Sequence, residues 1–162
     1  MVRRIVTKIG NIFCAEIENQ CKRYFQYIVN DMEQLNSSVI RVFKTHYPMD
    51  HKPVCDEVVK DEVEFYAHTV LRFGIIYNAW YKIGSSKEIG DFANVLFRSS
   101  RDYGEKVKIS ERWDVWHINE PIVYVGKLTK EYQHAELGYV ISYIDIVNKL
   151  KYGCYKYLSP GY

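Results

Sequence analysis

Neither sign of charge dominates this chain: 22 Lys and Arg stand against 20 Asp and Glu, for a net charge of +2. A protein whose main task is to neutralise nucleic-acid phosphates carries a clear basic excess. None is present, so nucleic acid is not the expected partner. Long apolar runs are lacking too. The longest uncharged stretch is residues 73–81, far short of the roughly 20 residues of a membrane-crossing helix. After Arg3 and Arg4 only Ile5-Val6-Thr7 precede Lys8, too little for the apolar centre of an export signal. The expected location is the cytoplasm, where Cys14, Cys21, Cys55 and Cys154 would be reduced thiols. With only four Pro and nine Gly in 162 residues, no linker divides the chain, and one domain over residues 1–162 is expected.

Motifs that carry chemistry are equally scarce. Val125-Gly126-Lys127-Leu128-Thr129 has an outline of a phosphate loop. It lacks the earlier glycine, and Leu128 stands where Ser or Thr would hold magnesium. His46, His51 and Cys55 are ligand types that suit zinc, but their spacing matches no common site and Pro48 and Pro53 stiffen the segment. The expectation is four free thiols, no metal and no cofactor. Nucleophilic catalysis needs a thiol or hydroxyl beside an oriented base, and nothing fixes such a pairing. Cys14, His68 and His117 are read as packing residues. An enzyme is not expected.

Aromatic residues are abundant: fifteen Tyr, seven Phe and three Trp. Large rings with polar tips favour strands, core margins and binding surfaces. Residues 11–18 alternate, with Phe13, Ala15 and Ile17 on one face and Cys14, Glu16 and Glu18 on the other. Residues 22–29 are aromatic and β-branched, joined to the first strand through Asn19-Gln20-Cys21. A polar break at 31–36 precedes a strand at 38–43, and the prolines make 45–53 a loop. Residues 62–71 and 75–83 flank Phe73-Gly74 as an expected second hairpin. Further strands are expected at 93–97, 114–118 and 122–125, with 99–112 exposed.

One helix is clearly signalled. Ser142-Tyr143-Ile144-Asp145 resembles a capping box, Ile144, Val147 and Leu150 form a stripe, and Lys149 and Lys151 precede a capping Gly153. The expected fold is mainly β (α+β): a small, partly open β-barrel or curled antiparallel sheet with a C-terminal helix.

Two features suit a partner. Asp56, Glu57, Asp61, Glu62 and Glu64 oppose Lys60 alone within residues 56–64, a segment that would steer a basic protein. Trp80 and Trp113, with Tyr81 and Trp116, are of the types enriched at interface hot spots. A second reading is a small barrel module for nucleic acid or a small ligand, using Arg3, Arg4, Lys22 and Arg23 with exposed aromatics.

The opening Lys8-Ile9-Gly10-Asn11-Ile12-Phe13, followed by the strand Tyr24-Phe25-Gln26-Tyr27-Ile28, resembles the start of a bacterial family of polymorphic-toxin gene clusters, immunity protein 26. Members begin with a Lys-x-Gly-Asp-Ile-Phe stretch and an aromatic strand paired to it; here Asn11 stands in place of the Asp. The resemblance extends over residues 1–45, with weaker similarity around Trp80, Phe97-Arg98 and Gly126. It implies a β-rich protein that binds and neutralises a cognate toxin protein without catalysis. Partner-binding residues would then be drawn from Asp56, Glu57, Asp61, Glu62, Glu64, Trp80 and Trp113.

Overall fold

The structure, a computed structural model, describes residues 4–156 and 160–162; Arg3 lies outside them. A six-stranded sheet has the order β10-β4-β3-β2-β1-β5. Its strands are β1 (Asn11–Ile17), β2 (Cys21–Asp31), β3 (Ser37–Phe43), β4 (Val63–Thr69), β5 (Tyr81–Ser85) and β10 (Val140–Ile141). All pairs are antiparallel except β10 with β4. A four-stranded sheet has the order β8-β7-β6-β9, from β6 (Leu96–Ser100), β7 (Trp113–His117), β8 (Val123–Gly126) and β9 (Glu136–Leu137). Here β6 and β9 are parallel. The fold is mainly β, with a curled, unclosed sheet and a C-terminal helix, as the sequence led us to expect.

The first hairpin forms where Asn19-Gln20-Cys21 placed it. Glu18 and Asn19 take left-handed φ of 50° and 56°, and the Gln20 N–H donates to the Ile17 carbonyl at 2.9 Å. That two-residue left-handed turn matches the twist of the strands it joins. Both faces of β1 and β2 are covered. On one side Phe13, Phe25, Phe65 and Trp80 pack with Ile146 and Leu150; on the other, Ile12, Cys14, Tyr24 and Phe43 meet Val58 and Val59. Two-sided burial explains why Tyr24 to Ile28 is an unbroken apolar and amide run instead of an alternating one.

Helix α3 (Tyr143–Tyr152) closes the first core. The Ser142 hydroxyl accepts from the Asp145 N–H at 3.2 Å, and Gly153 ends the helix at φ 78° with its N–H on the Lys149 carbonyl. Of the expected stripe, Leu150 is buried and Val147 packs against the core, but Ile146 stands in for Ile144. Ile146 and Leu150 face the core, whereas Ile144 is 56% exposed, because the four-residue spacing from 146 to 150 follows the helical turn over the sheet. Arg23 ties the helix down from below. Its guanidinium donates to the Leu150 carbonyl at 2.9 Å, the Phe43 carbonyl at 3.0 Å and Glu64 at 2.7 Å.

The expected hairpin about Phe73-Gly74 does not form. After β4 the chain enters a short helix, α2 (Leu71–Ile76), and the next strand, β5, pairs with β1 rather than β4. The reason is tertiary. A Cβ on Gly74 would lie 1.9 Å from the Trp80 ring, so glycine lets the indole seat directly against the helix. Trp80 Nε1 then donates to the Leu71 carbonyl at 3.0 Å, and the ring meets Phe25 edge-on at 5.1 Å. The strand expected at 93–97 lies further along, at β6. Residues 99–112 hold a buried polar knot: Ser110 Oγ accepts from Ser100 and donates to Asp102, each at 2.7 Å.

Besides the apolar cluster of Ile28, Val39, Phe97 and Trp116, one carboxylate bonds to both sheets. Asp31, fully buried at the end of β2, faces His68 Nε2 at 2.9 Å and accepts from Trp116 Nε1 at 3.0 Å on one oxygen. The other oxygen accepts from the N–H groups of Gln34 and Asn119, at 3.2 and 3.1 Å. His68 also packs on Phe97, 4.2 Å between ring centroids.

Candidate functional site

With Trp80 fixing one side of α2 to the sheet, the other side is left open. Phe73 and Tyr77, one helical turn apart, are 45% and 61% exposed. The Tyr77 ring stacks on Tyr143 from the first turn of α3, 5.0 Å between centroids and 11° from parallel. Beside them runs β10, the outermost strand of its sheet, with Val140 44% exposed. Val70, Phe73, Tyr77, Val140 and Tyr143 thus wall a groove of about 360 Å³. Ile76 and Ile144, also exposed, extend the apolar character on the two helices. Neighbouring exposed apolar and aromatic side chains of this kind are a common feature of binding surfaces.

The tryptophans singled out in the sequence are not on this surface. Trp80 is 2% exposed and Trp113 is 0%. Trp80 fills the space over Gly74, and Trp113 donates Nε1 to the Ser110 carbonyl at 2.8 Å inside the second sheet's core with Leu96, Val115 and Leu128. Both rings are packing groups in this fold, and in the folded chain neither presents a face to a partner.

The acidic segment is at the surface but largely engaged with the chain itself. Asp56 and Glu57 lie in the short helix α1 (Cys55–Val58), Asp61 and Glu62 in the following turn, and Glu64 on β4. Glu57 pairs with Lys60 at 3.0 Å, Glu62 with Lys44 at 3.3 Å and Glu64 with Arg23 at 2.7 Å. Asp61 accepts from the Thr45 N–H at 2.9 Å, and Asp56 from the Ser86 hydroxyl at 3.3 Å. The segment sits at the opposite end of β4 from the groove, a separation of roughly 20 Å along a seven-residue strand.

The remaining sequence candidates are dispersed. His51 stacks on Tyr47 at 4.0 Å with Nδ1 2.8 Å from the Tyr24 hydroxyl, His46 Nδ1 is 3.8 Å from Cys21 Sγ, and Cys55 packs in the core of Cys14 and Tyr24. Among the described residues no three His, Cys, Asp or Glu side chains gather at one point. Burial pushes the Tyr24 hydroxyl up to about 12, with Cys14 and Tyr47 beside it adding to the effect. Burial also raises the Cys14 thiol against an opposing hydrogen bond from Tyr81. His68 is held below its usual range by burial, opposed by its bond to Asp31 and that group's charge. All four cysteines are free. Of the basic set proposed for nucleic acid, Arg23 is 1% exposed and Lys22 donates to the His51 carbonyl at 3.0 Å.

Sequence reasoning missed Phe73, Tyr77, Val140 and Tyr143. The available signal was the four-residue spacing of Phe73 and Tyr77, which marks a helix face, in a segment read as the turn and second strand of a hairpin. Among the described residues no helix is long and apolar enough to cross a membrane. Comparison with protein-family models, curated proteins and solved structures finds no match.

Proposed function

We infer that this chain is an immunity protein, which binds a cognate toxin domain one to one and neutralises it without catalysis. The observation that carries the reading is the open groove of Val70, Phe73, Tyr77, Val140 and Tyr143. Tyrosine and other aromatic anchors in a desolvated pocket are what hot spots of tight protein complexes are made of. The resemblance of Lys8 to Phe13 and of the Tyr24 strand to immunity protein 26 supplies the direction: the occupant is a toxin domain. Asp56, Glu57, Asp61, Glu62 and Glu64 act as outlying charges on the approach of a basic partner, where they bear on the association rate more than on the final affinity.

The test is a binding titration and a growth rescue against the product of the adjacent toxin gene. The intact chain should bind it one to one and restore growth. Tyr77→Ala should weaken binding about 30-fold or more, the scale of a hot-spot residue. Glu57→Lys with Glu62→Lys, which leaves the Asp61 contact with the Thr45 amide intact, should slow association chiefly at low salt. Failure of the adjacent product to bind refutes the toxin reading. Unchanged affinity on replacing both Tyr77 and Phe73 refutes the groove as the contact surface.

A further inference from the structure

Away from the groove, two cations from distant parts of the chain converge without a carboxylate bonded to either. Arg98 leaves the middle of β6, and Lys149 the last turns of α3. They wall, with Glu136 of β9, Tyr155 and Tyr162, a pocket of about 310 Å³. The Arg98 guanidinium rests on the Tyr162 ring, 4.9 Å from its centroid, and reaches Trp113 at 5.8 Å. Its Nη1 donates to the carbonyls of Ala135 and Gln133. Its Nε is buried and bonds to nothing among the described residues. Nη2 makes no hydrogen bond among the described residues and, unlike Nε, is not closed off, so it is the nitrogen of the fork left for an oxygen of a carboxylate or phosphate.

Lys149 presents the second charge. Its Nζ lies 4.3 Å from the Phe65 ring centroid and 4.4 Å from that of Tyr155. Burial lowers its pKa, with the charges of Glu136 and Glu64 opposing. Glu64 is already held by Arg23 at 2.7 Å. Glu136 is the one acid lining the pocket, and burial raises its pKa against the pull of Lys149, the Tyr66 backbone and Arg98. The pocket is therefore electropositive and partly desolvated, where an added anion gains more than it would in water.

We propose that this pocket is a binding site for a small oxyanion, a carboxylate or phosphate group held by Nη2 of Arg98 with Lys149 as its second cation. The site is small for a ligand pocket, which fits a compact acid and not an extended chain. It is independent of the toxin-binding reading and shares no residue with the groove.

The experiment is calorimetric titration of the full chain at low ionic strength with inorganic phosphate and, separately, with succinate; sodium chloride at matched ionic strength sets the background. Saturable one-to-one binding of at least one oxyanion is expected, and which one binds identifies the group. Lys149→Met keeps a long side chain over the two rings and should weaken binding about tenfold, the loss of one charge-assisted contact. Glu136→Gln removes the only acid and should tighten it, a gain that misfolding cannot imitate. Binding no stronger than chloride for both probes overturns the proposal. Binding that neither substitution alters overturns it equally, since the anion then sits elsewhere.

Discussion

Replacing Asp31 by Asn tests whether the two sheets are held by an acceptor-only group. The carboxylate meets four donors, two on each oxygen: His68 Nε2 and Trp116 Nε1 on one, the Gln34 and Asn119 N–H groups on the other. An amide of the same size has one oxygen to offer. Whichever way it turns, two donors lose their acceptor and face an NH2 group in a site with no solvent access. Hydrogen bonds to a charged acceptor contribute about 1.5–3 kcal/mol each, so losing two costs about 3–6 kcal/mol. For a chain of this size that is a fall in melting temperature of about 6–24 °C. Asp31→Ala should cost at least as much, since it strands all four donors. Urea denaturation of the parent, both variants, Trp116→Phe and the double substitution Asp31→Ala with Trp116→Phe measures the effect and its coupling across the sheets. An Asn variant within about 0.5 kcal/mol of the parent would refute the reasoning. Strict additivity of Asp31→Ala with Trp116→Phe would refute it too, because Ala leaves the Trp116 N–H no acceptor and a bond spanning the two sheets must then appear as coupling.

The same cluster sets a pH dependence. His68 resists protonation when folded, while the unfolded chain takes up that proton near pH 6.5, so stability falls as pH drops below about 6.5 toward the folded value. The stability difference between parent and His68→Gln should shrink from pH 7 to pH 5 in urea titrations, and a constant difference would sink the idea. In α3, Leu150→Ala should cost about 2–5 kcal/mol, whereas Ile144→Ala should stay within about 0.5 kcal/mol; equal effects by thermal melting would mean the stripe is misassigned. Thiol titration should count four cysteines in denaturant. In the native chain the exposed Cys154 should react first and buried Cys14 last, and early labelling of Cys14 would contradict its burial.

What the sequence revealed was local. Alternation at Phe13, Ala15 and Ile17, the turn after Ile17, and the Ser142 and Gly153 caps each depend on a few adjacent residues, and each is where it was expected. What it concealed depends on distant partners. Helix α2 has no side-chain cap and contains Ile75 and Ile76, poor helix formers; it exists because Trp80 seats on Gly74, a contact no periodicity announces. Trp113 reads as an interface anchor until Ser110 is seen to hold its N–H inside. The acidic run reads as a free field until Lys44 and Arg23, well before it in the chain, are found against Glu62 and Glu64. Ile144 and Ile146 are equally apolar, and only the angle at which α3 lies on the sheet decides which is covered.

Arg23 has a bearing on the order in which the protein is made. Its bond to the Leu150 carbonyl spans 127 positions, and Phe13, Phe25 and Phe65 share their cover with Ile146 and Leu150. On a ribosome adding about 5–20 residues per second, the strands through Phe65 emerge about 4–17 s before Leu150 does. During that interval the part of this face that Ile146 and Leu150 cover stays open, and a guanidinium waits for its last acceptor. A nascent chain halted before Tyr143 lacks the cover of Ile146 and Leu150 over Phe13, Phe25 and Phe65, and it is this species that a chaperone would be called on to shield.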